Sequence, residues 1–499
     1  MKGKRWIAVA LVCLAGVGIG GCSIFTGAQG DVREESETMG EDGLVVPSAS
    51  SQETEESSQT KPTKTEPESI PPFPDAERET KAEPMEDGER IVLMTDVHYL
   101  ARSLTDRGSS FQNEIEHGDG KLTHYVWEIV DAAFDEIELL TPDVLIVSGD
   151  LTLNGEVKSH EEFAALLDEV ERRGISVLVI PGNHDINSRW ASSYIGKNRE
   201  PVQTIDAGGF ASIYAQFGYN EASERDPYSL SYTYDLSPSM RLLMLDTCQY
   251  EPKNMVEGQL KVETFQWADE QLKKAKKDGI NVLPIGHHNL LAQSRMYTTQ
   301  CAMNNNGDVI ELFQKYELPL YLSGHLHVQR IRKHKAEPGA ADDSYGIMEI
   351  VTDALSIPPC QYALLEWKRD GSMEYSTKAV DVSAWAARTG SQNPDLLDFE
   401  GWSELYIQKL IIDQIRGVVK NLGNDVEHSM AEVYASVYID YYAGRRIDAK
   451  GIRSSKGYRW WERNMPDSYL LKELDAMIDD SDRDNNYMLL PEVNAAAEE

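Results

Sequence analysis

The chain has 499 residues, with 83 Asp and Glu against 48 Lys and Arg, for a formal net charge of −35. The length exceeds one ordinary domain and predicts two or three regions. The acidic balance disfavours a nucleic-acid polymer as partner, because like charge repels it at long range. Of the five cysteines, Cys13 and Cys22 lie in the N-terminal segment, and the three that remain, odd in number and without close spacing, indicate neither a disulfide framework nor a cysteine metal site.

In chain order, Lys2, Lys4 and Arg5 precede an apolar stretch from Ile7 to Gly20 and small residues before Cys22. That succession is a secretory signal. Its end resembles the lipobox of bacterial lipoproteins, which implies a signal peptide over residues 1–22 and lipidation of Cys22. The chain would then sit on the extracellular face of a membrane, lipid-anchored to it but not spanning it. Residues 23–89 are rich in Ser, Thr, Pro and Glu, with 18 Asp or Glu against five Lys or Arg. Such a composition buries too little apolar surface to offset its ordering entropy, so this segment is expected to be a disordered tether.

Residues 90–393 alternate short apolar runs with helical periodicity, the pattern of an α/β domain. Strands are predicted at Ile91 to Met94, Val144 to Val147, Val177 to Ile180, Leu242 to Leu245, Val282 to Ile285 and Leu318 to Leu322. Helices are predicted at Thr123 to Leu140, His160 to Arg173, Val262 to Lys277 and Asp308 to Tyr316. Shorter strands of a second sheet or its edge are expected at 346–352, 362–367 and 373–382. Residues 394–499 read as a helical C-terminal region. Leu405, Ile407, Leu410, Ile411, Ile415, Val418 and Leu422 recur at helical spacing there, and an acidic, frayed end is expected after Asp479. Cys248, Cys301 and Cys360 are read as buried free thiols.

Five polar clusters each follow an apolar run, and six of the eleven histidines lie within them. They are Asp96-Val97-His98, Gly149-Asp150, Gly182-Asn183-His184-Asp185, Gly286-His287-His288 and Gly324-His325-Leu326-His327. Loops at the carboxyl ends of open α/β strands converge, so the clusters are expected at one sheet edge. Aspartate, asparagine and histidine together make a mixed hard and borderline donor set, suited to a pair of cations about 3.5 to 4 Å apart. Such a pair answers the two obstacles to phosphate-ester hydrolysis, an anionic target and a poor leaving group.

These five blocks, in this order, resemble the calcineurin-like metallophosphoesterases. The resemblance implies a two-sheet sandwich flanked by helices and two metal ions, for which the donors suit Mn, Fe or Zn. By resemblance Asp96, His98 and His327 hold one ion, Asn183, His287 and His325 hold the other, and Asp150 bridges them. A metal-bridging hydroxide would attack phosphorus in line, with His184 as catalytic donor to the leaving oxygen and Asp185 orienting its imidazole. Within the fourth cluster His287, directly after Gly286, fits the ligand position best, while His288 either lines the pocket or packs, and His98 fits either a ligand or a second acid. Leu151 to Leu153 stand where the purple-type relatives carry a tyrosine ligand, so iron-to-tyrosine charge transfer is not implied.

The remaining histidines, His117, His124, His160, His334 and His428, lack partners at ligand spacing and read as surface or satisfied side chains. Asn154-Gly155, Arg189-Trp190 and the run from Asn304 to Gly307 fit either substrate selection or ordinary turns. The stretch from Tyr434 to Tyr442 either covers the site or packs on the sheet. The sequence therefore predicts a cell-surface phosphoester hydrolase. Its alternatives are a narrow phosphodiesterase for cyclic nucleotides, phospholipids or wall polymers, and a metal-dependent binding lipoprotein without turnover.

Overall fold

Fifteen strands and the helices between them occur among the residues that the computed structural model describes, 81–294, 301–334 and 346–490. The signal peptide with Cys22, and residues 23–80 of the expected tether, lie outside the described residues. In chain order the strands are β1 (Glu89–Met94), β2 (Val144–Ser148), β3 (Ser176–Ile180), β4 (Ser192–Ile195), β5 (Asn198–Pro201), β6 (Glu224–Arg225), β7 (Tyr232–Ser237) and β8 (Met240–Leu245). They continue as β9 (Asn281–Gly286), β10 (Leu320–Ser323), β11 (Arg330–Lys333), β12 (Met348–Val351), β13 (Gln361–Trp367), β14 (Met373–Ala379) and β15 (Tyr487–Leu490).

One sheet has the order β15-β14-β13-β1-β2-β3 and the other β11-β12-β10-β9-β8-β7-β6, while β4 and β5 form a separate hairpin. The apolar runs are continuous because the parallel strands that they form are covered on both faces. Leu93, Val147 and Val179 from one sheet, and Leu242, Ile285 and Leu322 from the other, are all buried in one core. Parallel connections need a crossover, supplied by the amphipathic helices Val126–Leu140 and Val157–Arg172.

Register does the positioning. Met94 pairs with Val147, and Val147 with Val179, so β1, β2 and β3 end level. Leu322 pairs with Ile285 in the other sheet, which aligns the ends of β10 and β9. The clusters thus issue from the carboxyl ends of two sheets, three from one and two from the other. A single sheet edge does not carry them, because the chain divides its parallel strands between the two layers.

The C-terminal helices Phe399–Val418, Asn424–Tyr442, Lys456–Asn464 and Tyr469–Asp480 enclose a second core. Ile407, Ile411 and Ile415 supply its stripe at four-residue spacing, whereas Leu405 is 66% exposed and falls off it. Tyr434, Tyr438, Tyr441 and Tyr442 are buried in this core with Leu326, Val328 and Val351, so the tyrosine-rich stretch packs. The end after Asp479 differs from the frayed segment expected, since β15 pairs antiparallel with β14. Cys248, Cys301 and Cys360 are buried, and no disulfide joins them. Among the described residues no helix is long and apolar enough to cross a membrane.

Candidate metal centre

Each predicted ligand leaves its strand through a tight turn, and five of them adopt the left-handed backbone region. These are Asp96 (φ 53°), His98 (φ 50°), Asp150 (φ 49°), His325 (φ 72°) and His327 (φ 52°). Such conformations are costly for residues with a Cβ and persist where surrounding structure enforces them. Here the enforcement is hydrogen bonding between neighbouring turns. The Asp96 N–H donates to Gly149 O at 3.1 Å, the His98 N–H to Asp150 O at 2.9 Å, and the Gly324 N–H to His287 O at 3.0 Å.

Asp96, Asp150 and His287 share one pattern, in which one polar atom is anchored and the other faces inward. Asp96 Oδ2 accepts from Thr95 Oγ1 at 2.8 Å and the His325 N–H at 3.0 Å. Its Oδ1 lies 3.1 Å from His327 Nε2 and 3.9 Å from His98 Nε2. Those two imidazole nitrogens are themselves 3.1 Å apart. Asp150 Oδ1 accepts from the His184 N–H at 2.8 Å. Asp150 Oδ2 then lies 3.5 Å from His287 Nε2, 3.8 Å from His98 Nε2 and 4.0 Å from His184 Nε2. His287 Nδ1 donates to Ser148 O at 3.0 Å, which turns its Nε2 toward Asn183 Oδ1 at 3.2 Å. The His325 ring packs against that of His287, 5.2 Å between centroids.

Two glycines make this closeness possible. A Cβ on Gly182 would collide with the Asp150 backbone N and carboxylate, and one on Gly149 would enter the His287 ring.

The donor set fits bound cations. One ligand atom from each of Asp96, His98, Asp150 and His327 lies within 4.8 Å of the others, and all four residues are buried. Asp96 Oδ1 is buried and meets no donor with hydrogen-bonding geometry, an arrangement that costs free energy unless a cation compensates it. Burial, with the nearby Lys121 cation, holds the His98 imidazolium well below its usual range, so the ring is neutral and able to ligate. Burial disfavours charge on His287 too, but the Asp150 carboxylate raises it to about 9. Burial likewise opposes the Asp150 carboxylate, yet His287 and then His184 hold it well below the usual carboxylate range.

The alternatives in the fourth cluster separate on partners. His288 is buried with Nδ1 2.8 Å from Thr247 Oγ1 and Nε2 2.9 Å from Val256 O, so both its ring nitrogens are committed. His287 is the residue that faces the other donors. His160 is a satisfied core histidine, bonded to Tyr214 Oη and Asp185 O at 2.9 Å each.

Asp185 does not orient His184. Its carboxylate accepts from the backbone N–H groups of Leu151 (3.1 Å), Thr152 (3.0 Å) and Gly182 (2.8 Å), and from Thr152 Oγ1 (2.9 Å). Adjacent residues in a turn point apart, so sequence neighbourhood to His184 gave the wrong partner. His184 Nδ1 instead donates to Leu153 O at 2.9 Å, with Asn154 Oδ1 at 3.1 Å. Asp185 therefore clamps the turns after β2 and β3 together. Asp185→Ala leaves four buried donors unpaired, and each costs about 1 to 3 kcal/mol. Thermal denaturation should show a loss on the order of 3 kcal/mol or more, and metal titration a roughly 10- to 100-fold weaker affinity.

Glu349 escaped sequence reasoning. Buried on β12, it accepts from the Leu290 N–H (2.8 Å), the Leu291 N–H (2.6 Å), Gln293 Nε2 (2.6 Å) and Ser323 Oγ (2.7 Å). It fixes the loop behind His287, and no local motif announces it.

Comparison with known proteins agrees with this geometry. Residues 89–329 match the family model for calcineurin-like phosphoesterase, and residues 381–484 that for the C-terminal domain of cyclic nucleotide phosphodiesterase. A probable cyclic nucleotide phosphodiesterase of Synechococcus sp. is 25% identical over 197 residues, 39% of this chain and 62% of that protein. The chain thus spans somewhat under two thirds of that relative's length. A probable cyclic nucleotide phosphodiesterase of Xenorhabdus bovienii is 23% identical over 247 residues, 49% of this chain and 81% of that protein. Solved structures with similarity include a dimetal phosphatase from Danio rerio, with 12% identity, a TM-score of 0.41, and coverage of 59% of this chain and 97% of that one. Another is a purple acid phosphatase from yellow lupin, with 15% identity, a TM-score of 0.40, and coverage of 60% and 53%. Matched from β1 through all five clusters, residues 89–329 form a calcineurin-like phosphoesterase domain, and residues 381–484 match the C-terminal domain of cyclic nucleotide phosphodiesterase.

Proposed function

We propose that the protein is a dinuclear-metal phosphodiesterase acting on cyclic nucleotides, held by a lipidated Cys22 at the extracellular face of a membrane. One observation carries the catalytic reading: Asp150 Oδ2 lies within 3.5 to 4.0 Å of His287, His98 and His184, midway between two groups of ligands. Asp96, His98 and His327 would hold one cation, Asn183, His287 and His325 the other, and Asp150 both. When bound, such a pair supplies Lewis-acid charge to phosphoryl oxygens and lowers the pKa of water. The second family match and the names of the two relatives support the cyclic-diester substrate. The charge and apolar pattern of residues 1–22 supports the anchor.

The chain's own contribution centres on His184. Its side chain is 25% exposed, whereas those of Asp96, His98, Asp150, His287 and His327 are 0 to 2% exposed, so an ester reaches the centre past this ring. With Nδ1 committed to Leu153 O, Nε2 is the atom through which a proton passes to or from an ester oxygen.

The test is a substrate panel on the full chain loaded in turn with Mn, Fe and Zn, with metal content measured by elemental analysis. Hydrolysis of a 3′,5′-cyclic nucleotide in preference to p-nitrophenyl phosphate and to phospholipid is expected. Preference for the monoester would overturn the diester reading. Metal bound without hydrolysis of any ester would favour a binding lipoprotein. Cys22→Ala should move the protein from the membrane fraction to the soluble one.

A further inference from the structure

The loop between helices Ser109–Glu116 and Val126–Leu140 carries Asp119-Gly120-Lys121. The Lys121 ammonium and the Asp119 carboxylate form an ion pair whose side chains are only 11% and 17% exposed. Removing two charges from water costs several kcal/mol per ion, and their attraction does not reliably return it, so stability alone is a weak reason for the pair.

The loop is fixed from two sides. The Leu122 N–H donates to Ser356 O at 2.7 Å, and Ser356 Oγ donates to Asp96 O at 2.9 Å, which ties the loop to the first cluster. On the other side Gly120, at φ 100°, sits so close to the helix Phe399–Val418 that a Cβ would lie 2.7 Å from Ile407 Cδ1. Tyr406 of the same helix donates from its hydroxyl to Ile115 O at 3.2 Å. The Lys121 charge is felt at His98 and His184, and that of Asp119 at His327 and His184. The pair therefore stands next to the first cluster, through Leu122 and Ser356, and within electrostatic range of His184, the most exposed of the cluster rings.

A chain of net charge −35 repels an approaching phosphate ester, and Lys121 offsets that repulsion where its ammonium turns from the Asp119 carboxylate to the ester. We propose that Lys121 anchors the substrate, its ammonium exchanging the Asp119 carboxylate for a non-bridging phosphoryl oxygen, with the C-terminal helices holding the loop in place. This rests on the phosphoesterase reading above.

The probes are inorganic phosphate as a competitive inhibitor and bis(p-nitrophenyl) phosphate as substrate, with the metal-loaded full chain. Lys121→Met should raise KM and weaken phosphate inhibition roughly 10- to 100-fold, the worth of a hydrogen bond to a charged group. Metal content should be unchanged, kcat should fall less than KM rises, and Lys121→Arg should recover most of the loss. Asp119→Asn should act in the opposite direction, tightening phosphate inhibition, because the competing carboxylate is gone. A purely structural pair would lose function in both variants, and that outcome overturns the proposal, as do KM and phosphate inhibition within about twofold of the parent in Lys121→Met. Should Lys121→Met fail to fold, the sign of the Asp119→Asn effect decides alone. Failure of the parent chain to hydrolyse any ester is separate, since phosphate binding is then read by calorimetry.

Discussion

Asp150→Ala is expected to abolish turnover and deplete bound metal while leaving the fold intact. Asp150 has an oxygen toward both ligand groups, 3.5 Å from His287 Nε2 and 3.8 Å from His98 Nε2. Its loss removes a shared anion and leaves the His184 N–H without its acceptor at 2.8 Å. The charge stabilisation at stake is several kcal/mol, so kcat should fall roughly a thousandfold or more, at tenfold per 1.36 kcal/mol. The check combines elemental analysis, activity and thermal denaturation. Retention of two metal equivalents with near-normal kcat would remove Asp150 from the bridging position and with it the assigned centre.

His184→Ala is expected to separate chemistry from metal binding. The ring is held by Leu153 O and Asn154 Oδ1, with its Nε2 4.0 Å from Asp150 Oδ2. Positioned proton transfer contributes about 10²- to 10⁴-fold, so kcat should drop by that order with metal content unchanged. The loss should be smaller for an ester with a good leaving group such as p-nitrophenolate, which needs little protonation, than for a cyclic nucleotide. An equal loss on both would assign His184 a role in binding or packing instead. Asn154→Ala, which leaves Leu153 O in place, should give a milder decrease of the same kind.

Much of this architecture was legible because its signals are local. Continuous apolar runs marked β1, β2, β3, β8 and β9 to within a few residues, since strands covered on both faces need no polar alternation. The ligand clusters stood out because each lies directly beyond such a run. Partners far apart in sequence stayed hidden. Nothing near His288 announces that Thr247 and Val256 occupy its two nitrogens, and nothing near Glu349 announces the loop that it holds. Asp185 was misread because adjacency in sequence suggested contact, while its carboxylate turns back to the backbone of Leu151 and Thr152. The strand Tyr487–Leu490 was missed for another reason. It is a short edge strand beside β14, and its acidic surroundings masked its pairing.

The left-handed turns at Asp96, His98, Asp150, His325 and His327 also bear on which cations the protein takes up. Main-chain geometry fixes where these donors stand before any ion arrives, so the spacing is imposed on the ion and not adjusted to it. A rigid cradle of imidazole and carboxylate would select among first-row divalent ions by fit, against the affinity order that the metals themselves set.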